Sequence, residues 1–269
     1  MKKIFYIPLF LLLITTIAGC EKFESSPHQV FDNNTPRNIN QHNIDKLLAT
    51  TTTNDTLRII FTGDSQRYYD EAESLVKKVN SMKDIDFLIV AGDISDFGLR
   101  QEFEWMNNIF SGLHVPYVSV IGNHDVIGNG QRTYEYMFGH KDFSFVYKHT
   151  KFIFHNTNSR EYSFNGQVPN MNWLTQQCQP EAGVSYIIPV SHVPPYDGDF
   201  DKNLEQQYAK TLRNTPGLLI SLHGHHHHST DKYPYEDGVR YLNSNAVDKR
   251  LFMLLEIYNG EVHKTPISY

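Results

Sequence analysis

Cysteine is nearly absent: the 269 residues contain two, Cys20 and Cys178. Two cysteines cannot build a disulfide-stapled scaffold. Gln177 and Gln179 flank Cys178 and supply no base, so it reads as a packed small hydrophobe rather than a nucleophile. Basic excess is missing as well. The net charge of -6 leaves no electrostatic footprint for nucleic acid. No apolar run reaches the roughly 20 residues that a membrane-spanning helix needs. No internal repeat appears. Hydrophobic residues make up 40% and charged residues 20%, the ordinary proportions of a chain with a sizeable core. Histidine is plentiful, at 14 residues, and its placement matters more than its number.

The N-terminus reads as an export signal. Lys2 and Lys3 form a basic start, and residues 4–17 are apolar except at Pro8, Thr15 and Thr16. The run ends in Ile17-Ala18-Gly19-Cys20, which resembles a bacterial lipobox. That resemblance implies cleavage before Cys20 and a diacylglycerol on its thiol, leaving Cys178 without a partner. Glu21, Lys22 and Glu24 follow at once, which argues against a membrane span. Residues 1–19 are therefore expected to be a lipoprotein signal peptide. Residues 20–55, rich in Asn and Thr, are expected to be a polar tether with a short helix at 44–48. The expected location is the bacterial cell envelope, lipid-anchored and facing the periplasm or exterior.

Residues 56–269 carry the globular pattern. Leu57-Arg58-Ile59-Ile60-Phe61 is a buried-strand run. Residues 71–82 follow with helical spacing of Ala72, Leu75, Val76 and Val79. A second strand at 86–91, a helix marked by Phe103, Met106 and Phe110, and a third strand at 117–121 complete βαβ units and a parallel sheet. Later residues are richer in strand. A hairpin at 143–155, strands at 184–190, 218–222, 241–242 and 251–257, and a helix near 202–213 follow. The expected class is α/β, with two mixed sheets packed together and flanked by helices in an α/β/β/α sandwich.

Polar motifs follow these strands. They are Gly63-Asp64-Ser65-Gln66, Gly92-Asp93-Ile94-Ser95-Asp96, Gly122-Asn123-His124-Asp125, Ser191-His192, and His223-Gly224-His225-His226-His227. The carboxyl ends of parallel strands share one edge, where ligands bind. Asp64 and Asp93 offer hard oxygens, Asn123 an amide oxygen, and His192, His225 and His227 imidazoles. That mixture suits transition ions and is too nitrogen-rich for calcium. The ligands outnumber what one tetrahedral ion takes. Two ions sharing a carboxylate would use them all and would clamp an in-line displacement at phosphorus.

The order Asp64, Gly92-Asp93-x-x-Asp96, Gly122-Asn123-His124-Asp125, His192, Gly224-His225-x-His227 resembles the signature of the calcineurin-like metallophosphoesterases. It spans residues 61–227. The resemblance implies a four-layer sandwich with its metal site at the C-terminal ends of the strands. It implies two divalent or trivalent transition-metal ions (Mn, Fe or Zn), a phosphate-ester substrate and a metal-bridging hydroxide as nucleophile. Asp93 would bridge the ions. Asp64 and His227 would hold the first, and Asn123, His192 and His225 the second. His124 would stabilise charge or protonate the leaving group, and Asp125 would orient its imidazole.

The chain departs from the family pattern at Gln66, where many members have histidine. Gln66 and Asp96 are the alternatives for the missing ligand of the first ion. His226 and His228 are not expected to be ligands. The competing class is a catalytically degenerate metal-binding surface lipoprotein. Neither oligomeric state nor the choice between monoester and diester follows from these residues.

Overall fold

Strands whose apolar residues occur at every position are covered on both faces, and the described residues show how. The computed structural model describes residues 30–50 and 55–269. Cys20 and the apolar run before it lie outside them. Two compact units divide the chain, Met1–Asn34 and Thr35–Tyr269. In the described part of the first, Asp32 accepts the backbone N–H of Asn34 at 2.9 Å. The second contains the elements that follow.

These are α1 (Ile39–Leu48), β1 (Leu57–Thr62), α2 (Tyr69–Asn80), β2 (Phe87–Val90), α3 (Arg100–Phe110), β3 (Tyr117–Ser119), α4 (Gly130–Met137), β4 (Phe143–Tyr147) and β5 (Thr150–Phe154), then α5 (Met171–Gln177), β6 (Tyr186–Val190), α6 (Lys202–Arg213), β7 (Ser221–His223), β8 (Asp231–Lys232), β9 (Tyr241–Asn243), β10 (Leu251–Tyr258) and β11 (Glu261–Ser268). One sheet runs β11-β10-β1-β2-β3 and the other β4-β5-β6-β7-β9-β8. In the first, β1, β2 and β3 are parallel while β10 and β11 are antiparallel. In the second, β5, β6, β7 and β9 are parallel, with β4 and β8 antiparallel at its edges.

The period of two in each strand assigns its layers. Ile59, Phe61, Phe87 and Ile89 meet Phe152, Phe154, Ile188 and Val190 between the sheets. Ile60, Leu88 and Val90 face Ala72, Leu75, Phe103 and Met106 of α2 and α3. Ile153, Ile187 and Tyr241 face Leu174, Tyr208 and Leu212 of α5 and α6. The result is the expected α/β/β/α sandwich of two mixed sheets. Charge supports α2: Asp70 and Glu71 lie in its first turn and Lys77 and Lys78 in its last, each opposing the helix dipole.

The expected tether needs correction. The compact unit begins at Thr35, not at residue 56, and α1 is part of it. Ile44 and Leu47 are buried in the layer between the sheets, and Ile39 packs on the α2–α3 side. Polar composition concealed this because Asn40 is itself buried. Its side chain accepts the backbone N–H of Ser119 at 2.9 Å and donates to the Ser119 carbonyl at 2.9 Å. It thereby pairs with β3, the edge of its sheet, as another strand would. Further elements were not expected, the short edge strand β8 among them. Helix α4 follows glycines and reads as loop, yet buries Tyr134 and Met137. Strand β11 is mostly exposed and carries Pro266, as an edge strand can.

A buried polar chain lies on the α5–α6 side of the second sheet. His155 Nε2 is 3.0 Å from the Tyr208 hydroxyl, and the His223 ring lies between Ser191 Oγ at 3.0 Å and Ser221 Oγ at 2.8 Å. Burial pushes His155 down to about 4 and drives His223 down as well. The folded protein therefore refuses a proton that the unfolded chain accepts below its ordinary value near 6.5.

Two predictions follow from this packing. Asn40→Ala leaves the Ser119 N–H buried without its acceptor and should lower unfolding free energy by about 1–3 kcal/mol in a urea titration. A silent substitution would return α1 to the tether. Stability should also fall as pH drops from 6.5 to 5, with His155 contributing ~1.5 kcal/mol of that loss. His155→Gln should flatten the slope by that amount. An equal slope in both proteins would show that His155 is charged in the fold.

Candidate metal centre

Each candidate ligand sits within a few residues of a strand's carboxyl end. Asp64, Asp93 and Asn123 follow β1, β2 and β3, and His192, His225 and His227 follow β6 and β7. The oxygen ligands thus come from one sheet and the imidazoles from the other. Close backbone approach joins the loops. A Cβ on Gly92 would lie 2.6 Å from His192 Nδ1, and one on Gly122 would lie 2.1 Å from the Asp93 backbone nitrogen. Only glycine fits either place.

The ligands bend the chain to reach their positions. Asp64, Asp93, His225 and His227 have φ of 50°, 55°, 74° and 57°, in the left-handed region. Each costs about 1–3 kcal/mol, and such strain collects where function requires a particular geometry.

His192 is fully buried, and its Nδ1 donates to the Ala91 carbonyl at 2.6 Å. That bond leaves Nε2 as an acceptor in the neutral ring. Nε2 faces Asn123 Oδ1 at 2.9 Å and Asp93 Oδ2 at 3.3 Å. His225 Nδ1 lies 3.0 Å from the same Asn123 oxygen. The Nε2 acceptor of His192 therefore faces two oxygen acceptors, and positive charge between them makes that stable. Titration expresses the same demand. Burial alone would lower His192, but Asp93 and then Asp64 outweigh it and push it up to about 10. Burial pushes Asp64 up to about 7, with neighbouring Asp93 adding to the effect of burial and His192 opposing it.

The other ligands surround Asp64 and Asp93. Asp64 is fully buried, accepts the His225 backbone N–H at 3.0 Å, and lies 3.5 Å from His227 Nε2. Asp64, Asp93 and His192 form a buried group able to hold a metal ion. Gln66 is buried too, with Nε2 3.4 Å from Asp93 Oδ2 and Oε1 without a hydrogen-bond partner. A half-turn of this amide aims an oxygen at Asp93, the orientation that a shared cation demands. The donor set fits transition ions.

Asp96 takes the part expected of Asp125, and Asp125 takes a structural one. The Asp125 carboxylate is spent on neighbouring loops. Its Oδ1 accepts from Ile94 N at 2.9 Å, Ser95 N at 2.8 Å and Ser95 Oγ at 2.9 Å, and its Oδ2 from Gly122 N at 2.8 Å. It ties the loops after β2 and β3 together, and all four of these bonds go to those loops rather than to an imidazole. Asp96 holds His124 instead: its carbonyl is 2.9 Å and its carboxylate 3.4 Å from Nδ1. The carboxylate also pairs with Arg67. Asp96 is therefore engaged beside His124 rather than among the ligands. His124 donates its backbone N–H to Asp93 Oδ1 at 2.9 Å, which places its ring next to the cluster.

Neighbouring residues that the motifs did not reveal support the histidine loop. Asn243 donates to the Gly224 carbonyl at 2.7 Å, and Ala246 N donates to the His227 carbonyl at 3.3 Å. Asn243-Ser244-Asn245 runs out of the end of β9, where the other motifs follow their strands, and this signal was present in the sequence. Asp197 and Asp199 each come within 3.6 Å of His225 Nε2. His226 turns aside to Asp197 at 2.9 Å.

Residues 57–229 match the family described as Calcineurin-like phosphoesterase. The chain belongs to that family. A probable cyclic nucleotide phosphodiesterase of Xenorhabdus bovienii is 24% identical over 172 residues, covering 64% of this chain. The matched region spans 58% of that relative's length. Among solved structures, a dimetal phosphatase from Danio rerio superposes with a TM-score of 0.57 at 12% identity, covering 79% of this chain and 99% of that one. The inner-membrane-complex anchor GAP50 of Plasmodium superposes at 0.60 with 13% identity, covering 79% and 84%. These likenesses establish the shared fold. The calcineurin-like family and the ligand groups together support phosphoester hydrolysis and divalent-metal binding.

Asp93 touches more of this cluster than its neighbours do. Asp93→Ala should lower metal content from about two ions per chain to well under one, by elemental analysis. Wild-type content in that variant would show that Asp93 is shared by neither site.

Proposed function

We propose that this protein is a metal-dependent phosphomonoesterase or phosphodiesterase of the bacterial cell envelope, anchored through a lipid on Cys20. Export places its substrates outside the cytoplasm. The observation that carries the reading is that Asp93 Oδ2 and Asn123 Oδ1 both lie within 3.3 Å of His192 Nε2, with His124 beside them. Asp93 would be shared by the two sites; Asp64 and His227, with Gln66 beside them, would hold the first ion, and Asn123, His192 and His225 the second. When bound, two ions (Mn, Fe or Zn) supply Lewis acidity and lower the pKa of a water.

The chain's own groups do the rest. Ala91 fixes the tautomer of His192, so that Nε2 faces the cluster. Asp96 holds His124 Nδ1, leaving Nε2 to hand a proton to the departing oxygen. Asp125 keeps the two loops in register. A phosphodiester is a natural first substrate to assay, because the Xenorhabdus relative is named a probable cyclic nucleotide phosphodiesterase.

One observation favours a second reading, a metal-binding lipoprotein without turnover. Gln66 stands where many members of the family have a histidine, so the first site has one imidazole fewer. Assay of an aryl phosphate and its diester, with metals added back, separates the two. His124→Ala should cut turnover by roughly 10²–10⁴-fold with metal content intact. Loss of metal in step with activity would make His124 a ligand.

A further inference from the structure

Arg67 is placed at the cluster at a conformational cost. It is the third residue of the turn Ser65–Tyr68, closed by Tyr68 N to Ser65 O at 3.2 Å, and its φ is 58°. Glycine or asparagine suits such a position, and an arginine there is strained. The turn is stitched to the metal loop, since Ser65 N and Gln66 N both donate to the Asp93 carbonyl, at 2.9 and 3.0 Å. The guanidinium reaches Asp96, whose carboxylate lies 3.4 Å from His124. Yet the Arg67 side chain is 58% exposed. Ion pairs that open to water contribute little stability, so the pair does not explain the strain.

We propose that Arg67 is a substrate-binding residue that reads the charge of the phosphate, resting on Asp96 when the site is free of substrate. This deepens the phosphoesterase reading and rests on it. A phosphate seated at the cluster beside His124 lies within reach of the same guanidinium. Its planar fork matches two phosphate oxygens, and a dianionic phosphate competes for it better than one carboxylate does. A monoester offers a charged oxygen where a diester offers a neutral ester oxygen. Arg67 therefore favours monoesters, whereas the metal ligands serve both.

The test uses the full chain loaded with manganese. Arg67→Ala should lower kcat/KM for an aryl phosphate at least tenfold more than for the bis-aryl diester, with metal content unchanged. Arg67→Lys, which keeps the charge and loses the fork, should recover part of the difference. Calorimetric titration with inorganic phosphate gives a readout independent of turnover, and Arg67→Ala should weaken that binding about tenfold. An unchanged monoester-to-diester ratio overturns the assignment, and so does equal phosphate affinity in wild type and variant. If the wild-type protein turns over neither ester, the phosphoesterase reading falls. The phosphate titration then still decides the role of Arg67.

Discussion

The bond from His192 Nδ1 to the Ala91 carbonyl, 2.6 Å long, joins the two sheets at the point where their chemistry meets. Ala91 continues β2 in one sheet, and His192 follows β6 in the other. The bond is formed without water, because both residues are fully buried. It decides which imidazole nitrogen faces the cluster, and it requires the sheets to approach closely enough to exclude a side chain at position 92. Shifting one sheet by a single residue would turn the imidazole away and set a Cβ where Gly92 now stands. Fold and ligand set are in this sense one constraint.

Charge supplies the second half of that constraint. Asp64 and Asp93 are buried together, which disfavours their charged forms unless a cation accompanies them. The surrounding loops are arranged to hold this unfavourable group in place. Asp125 ties two loops through their backbone N–H groups, and Asn243 holds the histidine loop from beneath. Left-handed backbone at four ligand positions adds strain that packing elsewhere offsets. Stability and function therefore draw on the same buried cores.

Much of this was legible because each signal was local. Ile59-Ile60-Phe61 is apolar at every position since both faces of β1 are covered. The helix at Tyr69–Asn80 was legible from Ala72, Leu75, Val76 and Val79, which form one stripe. The elements that were missed, or expected too short, lacked such signals. The first turn of α1, ahead of the expected helix at 44–48, buries Asn40, whose backbone partners lie 79 residues away. Helix α4 starts at glycine, and β11 is exposed along most of its length. In the site, a polar motif after each strand exposed the ligands, while Asn243, Asp197 and Asp199 lay in stretches without a recognised motif.

The sequence by itself determined the family, the layered class and the candidate ligand types, because each depends on residue identity at a strand's end and on periodicity within a strand. It could not assign the partners of Asp96 and Asp125. Both are aspartates a few residues beyond a glycine, and either spacing permits contact with His124. Only the packed loops decided between them. Backbone N–H groups from Ile94, Ser95 and Gly122 converge on Asp125, and that convergence leaves Asp96 to meet His124 and Arg67. Hydrogen-bond direction is a property of folded geometry, set by which lone pairs remain when the backbone has taken its share.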